Sequence, residues 1–455
     1  MYSRYLTAVA SALRLHVRGH LDGRPANVVD ECVSTLAALA NALETGAVPD
    51  QDMIAAWLAA GPVESPGVHR DIADEHCDHV EAIRAGNGID RPAIRSALEA
   101  ERVRGQRAMD RMLGLMTLPP AKTDDARSGI DPARVEQFLR EASGCPDLLL
   151  SDFKPILGGR SRQTAIFRVS HAQGLPSDLV VQRQTPGLDN SFGGTAMEFE
   201  VLKALHDAGM RVPRVLHMSS DPAILGACFM IMERASGTPV QSDFWSMPTP
   251  GYAEEMARQM AILHAQPTAG LAHVLPRPRV TSGREGWLAE AEMLSTRLLC
   301  DSHGPSVTIA AALDWLRNHV DGIGDTETIV HNDFMFHNVL AEDGRITAVL
   351  DWEQVALGHP AEDLGYVYPV VAMLGGWDRF IAAYQAGGGR AVSRQEVDFF
   401  ALRAILRLMV LVFDGRVAFE SGGTDEVVIA GAGAGFIQRL HQRLSDVLAD
   451  ILARH

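Results

Sequence analysis

Three oxygen-bearing side chains, Asp333, Asn338 and Asp351, stand around a pattern that folds back on itself. Asn338-Val339-Leu340-Ala341 reads as a strand, Glu342-Asp343-Gly344-Arg345 carries an Asp-Gly turn, and Ile346-Thr347-Ala348-Val349-Leu350 reads as the returning strand. With Asp343 and Gly344 as the central turn residues, 342 faces 345, 340 faces 347 and 338 faces 349. Asn338 and Asp351 then share the open end as diagonal neighbours, about 7–8 Å apart. A short loop brings Asp333 to the same end. Magnesium takes oxygen ligands and fills its shell with waters and phosphate oxygens, so one carboxylate and one amide suffice to hold it. A second carboxylate, free of metal, can accept the proton of an alcohol and aim it for in-line attack. The pattern therefore predicts phosphoryl transfer, with Asp351 and Asn338 as metal ligands and Asp333 as base. A hairpin with acidic ends is commonplace on its own, and an isolated His-x-Asp can be a turn. The expectation rests on the three residues together.

The elements that must position them follow from periodicity. Residues 1–116 read as helices, with apolar side chains at helical spacing in Val29-Val33-Leu36-Leu39-Leu43 and Ile94-Leu98-Val103. Paired prolines at Pro119-Pro120 and the polar residues after them mark 117–130 as a linker. A helix is predicted over Pro132–Ala142, capped by Asp131. Strands are predicted at 165–169, 178–182 and 228–232, with a helix over 195–208 between the second and third. From Gly251 on, helices dominate, broken by the hairpin. The expected fold class is α+β: an all-α N-terminal domain (1–116), a β-rich lobe (131–237) and a larger helical lobe (238–455).

His331-Asn332-Asp333 with Asn338 five residues on, then Asp351-Trp352-Glu353 and Gly358-His359-Pro360-Ala361-Glu362-Asp363-Leu364, closely resembles the aminoglycoside phosphotransferase-like kinases. The likeness covers about 145–455 and implies a bilobal, protein-kinase-like fold using ATP and Mg2+. It departs from the family pattern at Asn332, where glycine is usual, and at His359, where aspartate is usual. The resemblance extends to Leu157–Thr164, which looks like the family's phosphate-covering loop, with Gly158, Gly159 and Ser161 meeting the nucleotide. The following strand should offer a cation to the phosphates, yet Val180-Val181-Gln182-Arg183-Gln184 has no lysine. Either Gln182 or Arg183 faces the cleft, and Arg183, the only cation, is the expected ligand. Glu198 is its expected helix partner, with Glu200 as the competitor. Backbone groups of Met232, Glu233 and Arg234 would read the adenine edge. His331 is expected to hold the loop by hydrogen bonds and Asp363 to cap or brace a helix beneath it. Glu353 is expected to form a salt bridge or line the substrate pocket. The pattern is most similar to kinase domains related to those fused to some acyl-CoA dehydrogenases, which implies a hydroxy acid or hydroxyacyl-CoA acceptor. An amino alcohol or aminoglycoside is the other expectation.

Bulk properties narrow the partners. Lys+Arg 41 against Asp+Glu 57 gives a net charge of −16, a field that repels nucleic acid and anionic membranes. The five cysteines are scattered and form no Cys-x-x-Cys pair, which fits a reducing cytoplasm. The apolar stretch Ala401–Phe413 carries Arg403 and Arg407 and falls short of a membrane span. A small-molecule hydroxyl is thus the expected acceptor, and a soluble, cytoplasmic protein the expected setting. In the front domain, Asp71, Asp74, Glu75, His76, Cys77, Asp78 and His79 cluster, but without the matching Glu-x-x-His helix that a di-iron bundle needs; a solvated acidic helix is expected. That domain could also join two copies of the chain. The competing function is a catalytically impaired nucleotide-binding module, suggested by the absent lysine and by Asn332.

Overall fold

The computed structural model describes residues 130–454 apart from 157–161, 185–193, 243–246, 272, 276–282, 303–305 and 421–426. The expected helical domain, its acidic cluster and its dimer surface lie outside the described residues, as do Gly158, Gly159 and Ser161. Two compact units are present. One comprises Pro120–Trp287 and Gly322–Ala401, and the described residues of the other fall in Leu288–Asp321 and Leu402–His455. The boundary runs through the stretch 238–455 that was expected as one lobe. In the second unit, helices Val307–His319 and Val427–Arg454 pack through side chains such as Ile309, Leu313, Leu444 and Leu448, all buried.

The first unit opens with helix α1 (Pro132–Ser143). Asp131 Oδ1 accepts from Ala133 N at 2.9 Å, Pro132 takes the first turn, and Gly144 ends the helix at φ 68°. Beyond it, strands β1 (Leu149–Ile156), β2 (Arg162–Ser170), β3 (Asp178–Gln184), β4 (Val215–Ser219) and β5 (Phe229–Glu233) form one antiparallel sheet in the order β1-β2-β3-β5-β4. Because side chains alternate along a strand, the sheet has two distinct faces. Ala165, Phe167, Leu179, Val181, Phe229 and Ile231 point to the face covered by Val135 and Leu139 of α1. Helix α2 (Gly194–Asp207) contacts β3, β4 and β5 from the opposite face and buries Val201, Leu202 and Leu205.

The rest of this unit carries the loop of interest. Strand β6 (Thr238–Pro239) joins β8 (Val339–Glu342) and β9 (Arg345–Val349) in a three-stranded sheet. Strand β7 (Thr328–Val330) pairs antiparallel with β10 (Ala356–Gly358), Val330 opposite Ala356 and Thr328 opposite Gly358. This pairing sets 331–333, just after β7, beside the chain that enters helix α3 (Ala361–Met373). Helix α3 in turn lies against the helix Arg394–Glu420 at Gly365, where an added Cβ would stand 2.6 Å from Ala401 N and Phe400 C. Only glycine allows that approach.

The hairpin differs from its expected register. Asp343 and Gly344 both take positive φ (48° and 76°), as a tight primed turn demands, and Glu342 pairs with Arg345. A bulge then follows between Leu340 and Ala341, so Leu340 faces Ala348 and Val339 faces Val349. Thr347 is the extra residue, and its Oγ1 donates to Ser236 O at 2.6 Å. The slip places Asn338 opposite Leu350, whose N–H donates to Asn338 O at 2.7 Å. Asn338 and Asp351 are thereby brought closer in register than a regular hairpin would leave them.

Candidate active site

The loop after β7 is pinned by its own side chains. Phe334, Met335 and Phe336 are buried, each contributing about 1.5–3 kcal/mol of apolar burial. His331 is fully buried as well. Its Nε2 donates to Leu350 O (2.9 Å) and its Nδ1 accepts from Asp333 N (3.2 Å). One ring nitrogen donating and the other accepting is the neutral tautomer, and burial holds this imidazole's pKa below the ordinary value. Asn332 follows in the left-handed region, φ 63°. Glycine and, among other residues, asparagine tolerate that conformation best, which accounts for asparagine where the family resemblance expects glycine. Its Nδ2 further donates to Gln354 O at 3.0 Å.

Beneath the loop lies Asp363, in the first turn of α3 and fully buried. Its Oδ2 accepts from His331 N (2.9 Å) and from His264 Nε2 (3.0 Å), and its Oδ1 accepts from Asn332 N (2.8 Å). The carboxylate satisfies two consecutive loop N–H groups and so dictates the loop's path. His359 also has a local role: its Nδ1 accepts from Ala361 N at 3.1 Å, capping α3 as an aspartate would. Its ring stacks on Phe400 at 5.1 Å, and its Nε2 lies 3.2 Å from Glu396.

Asp333 is held by two donors. Asn338 Nδ2 reaches its Oδ2 at 3.0 Å, and the hydroxyl of Tyr366 donates to its Oδ1 at 2.7 Å. Burial first, then the charge of Asp351, pushes the Asp333 carboxyl up to about 7, while the bonds from Tyr366 and Asn338 act in the other direction. Asp351 sits in the left-handed region (φ 64°, ψ 66°) and is exposed. Loss of water on its protein side, and then Glu353, push it up to about 6, opposed by Arg162. Tyr366 went unread in the sequence. It lies three residues after Asp363, on the same helical face, and that spacing is the signal that would have found it.

The donor set fits a hard divalent cation. Asn338 spends its Nδ2 on Asp333, both on Oδ2 and on the backbone O (3.0 Å each), which leaves its amide oxygen as an acceptor. The charge of Asp351 helps to raise Asp333, and that of Glu353 helps to raise Asp351, a crowding of carboxyls that a cation would relieve. Among the described residues no group of three or more His, Cys, Asp or Glu is arranged to hold a metal ion.

Across from this loop, the sheet overturns one expectation. Arg183 does not face the cleft. It shares strand parity with Leu179 and Val181, and its guanidinium donates to Leu225 O (2.6 Å) and Gln163 Oε1 (3.0 Å) on the α1 side. Glu198 is instead paired with Arg162, the first residue of β2, through Oε2 and Nη1. Arg162 Nε also lies 3.8 Å from Glu353. The other oxygen of Glu198 accepts from Trp352 N at 3.1 Å, tying α2 to the turn that follows Asp351. Glu200, the competitor, is exposed. Trp352 is fully buried, its ring 4.4 Å from that of His331. In the expected base-reading stretch, two of the backbone donors are already engaged. Met232 is buried in β5, and the N–H groups of Glu233 and Arg234 already donate to Arg214 O and Asp178 O, both at 2.9 Å. Those two donors belong to the sheet.

Residues 152–400 match the phosphotransferase enzyme family. The chain is 30% identical over 178 residues to acyl-CoA dehydrogenase family member 11 of Gallus gallus, a match covering 37% of this chain and 22% of that protein. It is 31% identical over 201 residues to viomycin phosphotransferase of Streptomyces vinaceus, covering 39% of this chain and 66% of the relative. The chain thus spans about a fifth of the length of the acyl-CoA dehydrogenase relatives, which carry a kinase-like domain. A solved structure described as a candidate aminoglycoside phosphotransferase from Ralstonia eutropha superposes with a TM-score of 0.54 at 20% identity, covering 70% of this chain and 99% of the other. That likeness establishes a shared kinase-like fold of mixed helix and sheet. With more than half its length inside the matched family, the chain belongs to the phosphotransferase enzyme family, the group of aminoglycoside phosphotransferase-like enzymes that act on hydroxyl groups.

Proposed function

We propose that this chain moves the γ-phosphoryl group of ATP to a hydroxyl of a small molecule. The observation that carries the reading is Asp333: a carboxylate fixed by Asn338 and Tyr366, with Asp351 close enough to raise its pKa. Asp333 receives the acceptor hydroxyl, orients its oxygen toward the phosphorus and takes the proton as the new P–O bond forms. Asn338 and Asp351 would hold Mg2+, whose contribution is to neutralise charge on the phosphate oxygens. Tyr366 keeps the base from rotating out of line. His331, neutral and bonded at both nitrogens, and Asp363 keep the loop in place and exchange no proton with substrate. Glu353 raises the pKa of Asp351 and stands beside Arg162. The N–H groups of Glu233 and Arg234 being engaged, the base edge would be read by carbonyls of that stretch and by N–H groups beyond Arg234.

Two acceptor classes follow from the relatives. The acyl-CoA dehydrogenase relatives favour a hydroxy acid or hydroxyacyl-CoA, and viomycin phosphotransferase favours a basic, amine-bearing acceptor. The net charge of −16 gives the cationic class an electrostatic advantage. Two observations weigh against the impaired-module reading: Asn332 suits its backbone conformation, and Glu198 has a cationic partner in Arg162. The test is ATP turnover with magnesium over a panel of both acceptor classes. Turnover with one class identifies it, and nucleotide binding with no turnover across the panel would return the module. Asp333→Asn should lower turnover by about 10²–10⁴-fold and leave nucleotide affinity unchanged. Full activity in that variant would remove Asp333 as the base.

A further inference from the structure

We propose that the cation meeting the nucleotide's phosphates in this chain is Arg162 of β2, and that neither Gln182 nor Arg183 of β3 has that task. The inference rests on the ATP-dependent reading of the site given above. Cross-strand pairing carries the argument. Gln163 lies opposite Arg183, Thr164 opposite Gln182 and Arg162 opposite Gln184. Directly paired residues project to the same face, so Gln163 and Arg183 share one face and Arg162, Thr164, Gln182 and Gln184 share the other. The contacts agree. Arg183 bonds Gln163 and Leu225 on the α1 side, whereas Arg162 meets Glu198 of α2. Arg168 has the parity of Arg162 but sits six residues along, about 20 Å away, paired with Asp178. On β2 and β3, Arg162 is therefore the cation at the cleft end of that face.

Its surroundings suit the task. In protein kinases a strand cation bridges the helix glutamate and the phosphates. Arg162 already makes the glutamate half of that bridge, and a guanidinium has five N–H donors in a planar fork that can serve a carboxylate and a phosphate together. Its Nε stands 3.8 Å from Glu353, too far for a hydrogen bond. Three carboxyls, Glu198, Glu353 and Asp351, surround Arg162 among the described residues. A bound magnesium ion would offset those carboxyls and supply positive charge to the phosphates beside Arg162. Gln182, a diagonal neighbour of Arg162, is neutral, so the positive charge has moved from β3 to β2.

Calorimetric titration of the full chain tests this with three ligands: a non-hydrolysable ATP analogue with magnesium, ADP with magnesium, and adenosine. Arg162→Gln should weaken the analogue about tenfold or more, ADP less, and adenosine not at all. Arg183→Met should leave all three affinities unchanged, with Arg183→Lys as substitute should the first not fold. Adding Gln182→Lys to Arg162→Gln should recover much of the lost affinity by returning a cation to the same face. An unchanged affinity for the analogue in Arg162→Gln would overturn the proposal and leave the ATP reading intact. Equal weakening of all three ligands would overturn it too, because that marks a structural brace rather than a phosphate contact. A wild-type chain that binds neither nucleotide would overturn the ATP reading and this proposal together.

Discussion

Asp333 and Asp351 both hold their protons more tightly than a free carboxyl does, near 7 and 6, through loss of water and a neighbouring carboxylate, Asp351 for the first and Glu353 for the second. The sign of the consequence follows from linkage. A carboxyl raised on folding stabilises the folded state fully below its unfolded pKa, near 4, and loses that contribution as pH climbs through its folded value. The chain without magnesium should therefore melt at falling temperature as pH rises from about 5 to about 8, and magnesium should flatten the fall. Thermal melts with and without the ion check this; a melting temperature independent of pH and magnesium would remove the coupling. Activity has the opposite slope. The base must be ionised, so turnover should rise as pH passes through about 7, at a point shifted downward by any cation bound at Asp351.

Loop and helix termini are built from residues that depart from the family pattern without losing its geometry. Asn332 holds a left-handed backbone and bonds Gln354 O through its side chain. Asn332→Gly should be close to neutral, since relief of the backbone offsets a side-chain hydrogen bond with a net value of about 1 kcal/mol. Asn332→Val should cost about 1–2 kcal/mol in urea unfolding from the left-handed conformation alone, and reduce turnover as the Asp333 backbone shifts. Equal stability of the valine and glycine variants would show that the backbone conformation carries no such cost. His359 illustrates the same economy, because an imidazole nitrogen caps α3 where a carboxylate is expected. The hairpin bulge at Leu340 could not be read from the Asp-Gly signal, which specifies a turn but not whether both strands stay in step beyond it.

At the scale of the molecule, the proposed nucleotide site lies entirely within the unit of residues 120–287 and 322–401. A ligand that binds only the folded state stabilises it by about 2.7 kcal/mol at a hundred times its dissociation constant. With magnesium-nucleotide, hydrogen exchange should slow in β2, in α2 and around 331–338 and 349–353. Protection centred instead on 307–319 and 427–454 would relocate the site to the other unit. Among the described residues no helix is long and apolar enough to cross a membrane.

What the sequence by itself determined was the local grammar. The turn at Asp343-Gly344, the cap at Asp131, three of the five strands of the sheet and the order of His331, Asp333, Asn338 and Asp351 follow from short-range sterics and spacing, and with them the class of reaction. What only the tertiary structure decided was which side chains meet across elements. The parity of Leu179, Val181 and Arg183 could have turned Arg183 toward the α1 side, but no spacing says that Glu198 finds its partner in Arg162, on a strand 36 residues earlier. Nor does spacing reveal that Glu233 and Arg234 spend their N–H groups on Arg214 and Asp178. Backbone conformation is set over a few residues, whereas ion pairs and buried donors are settled by how finished elements pack.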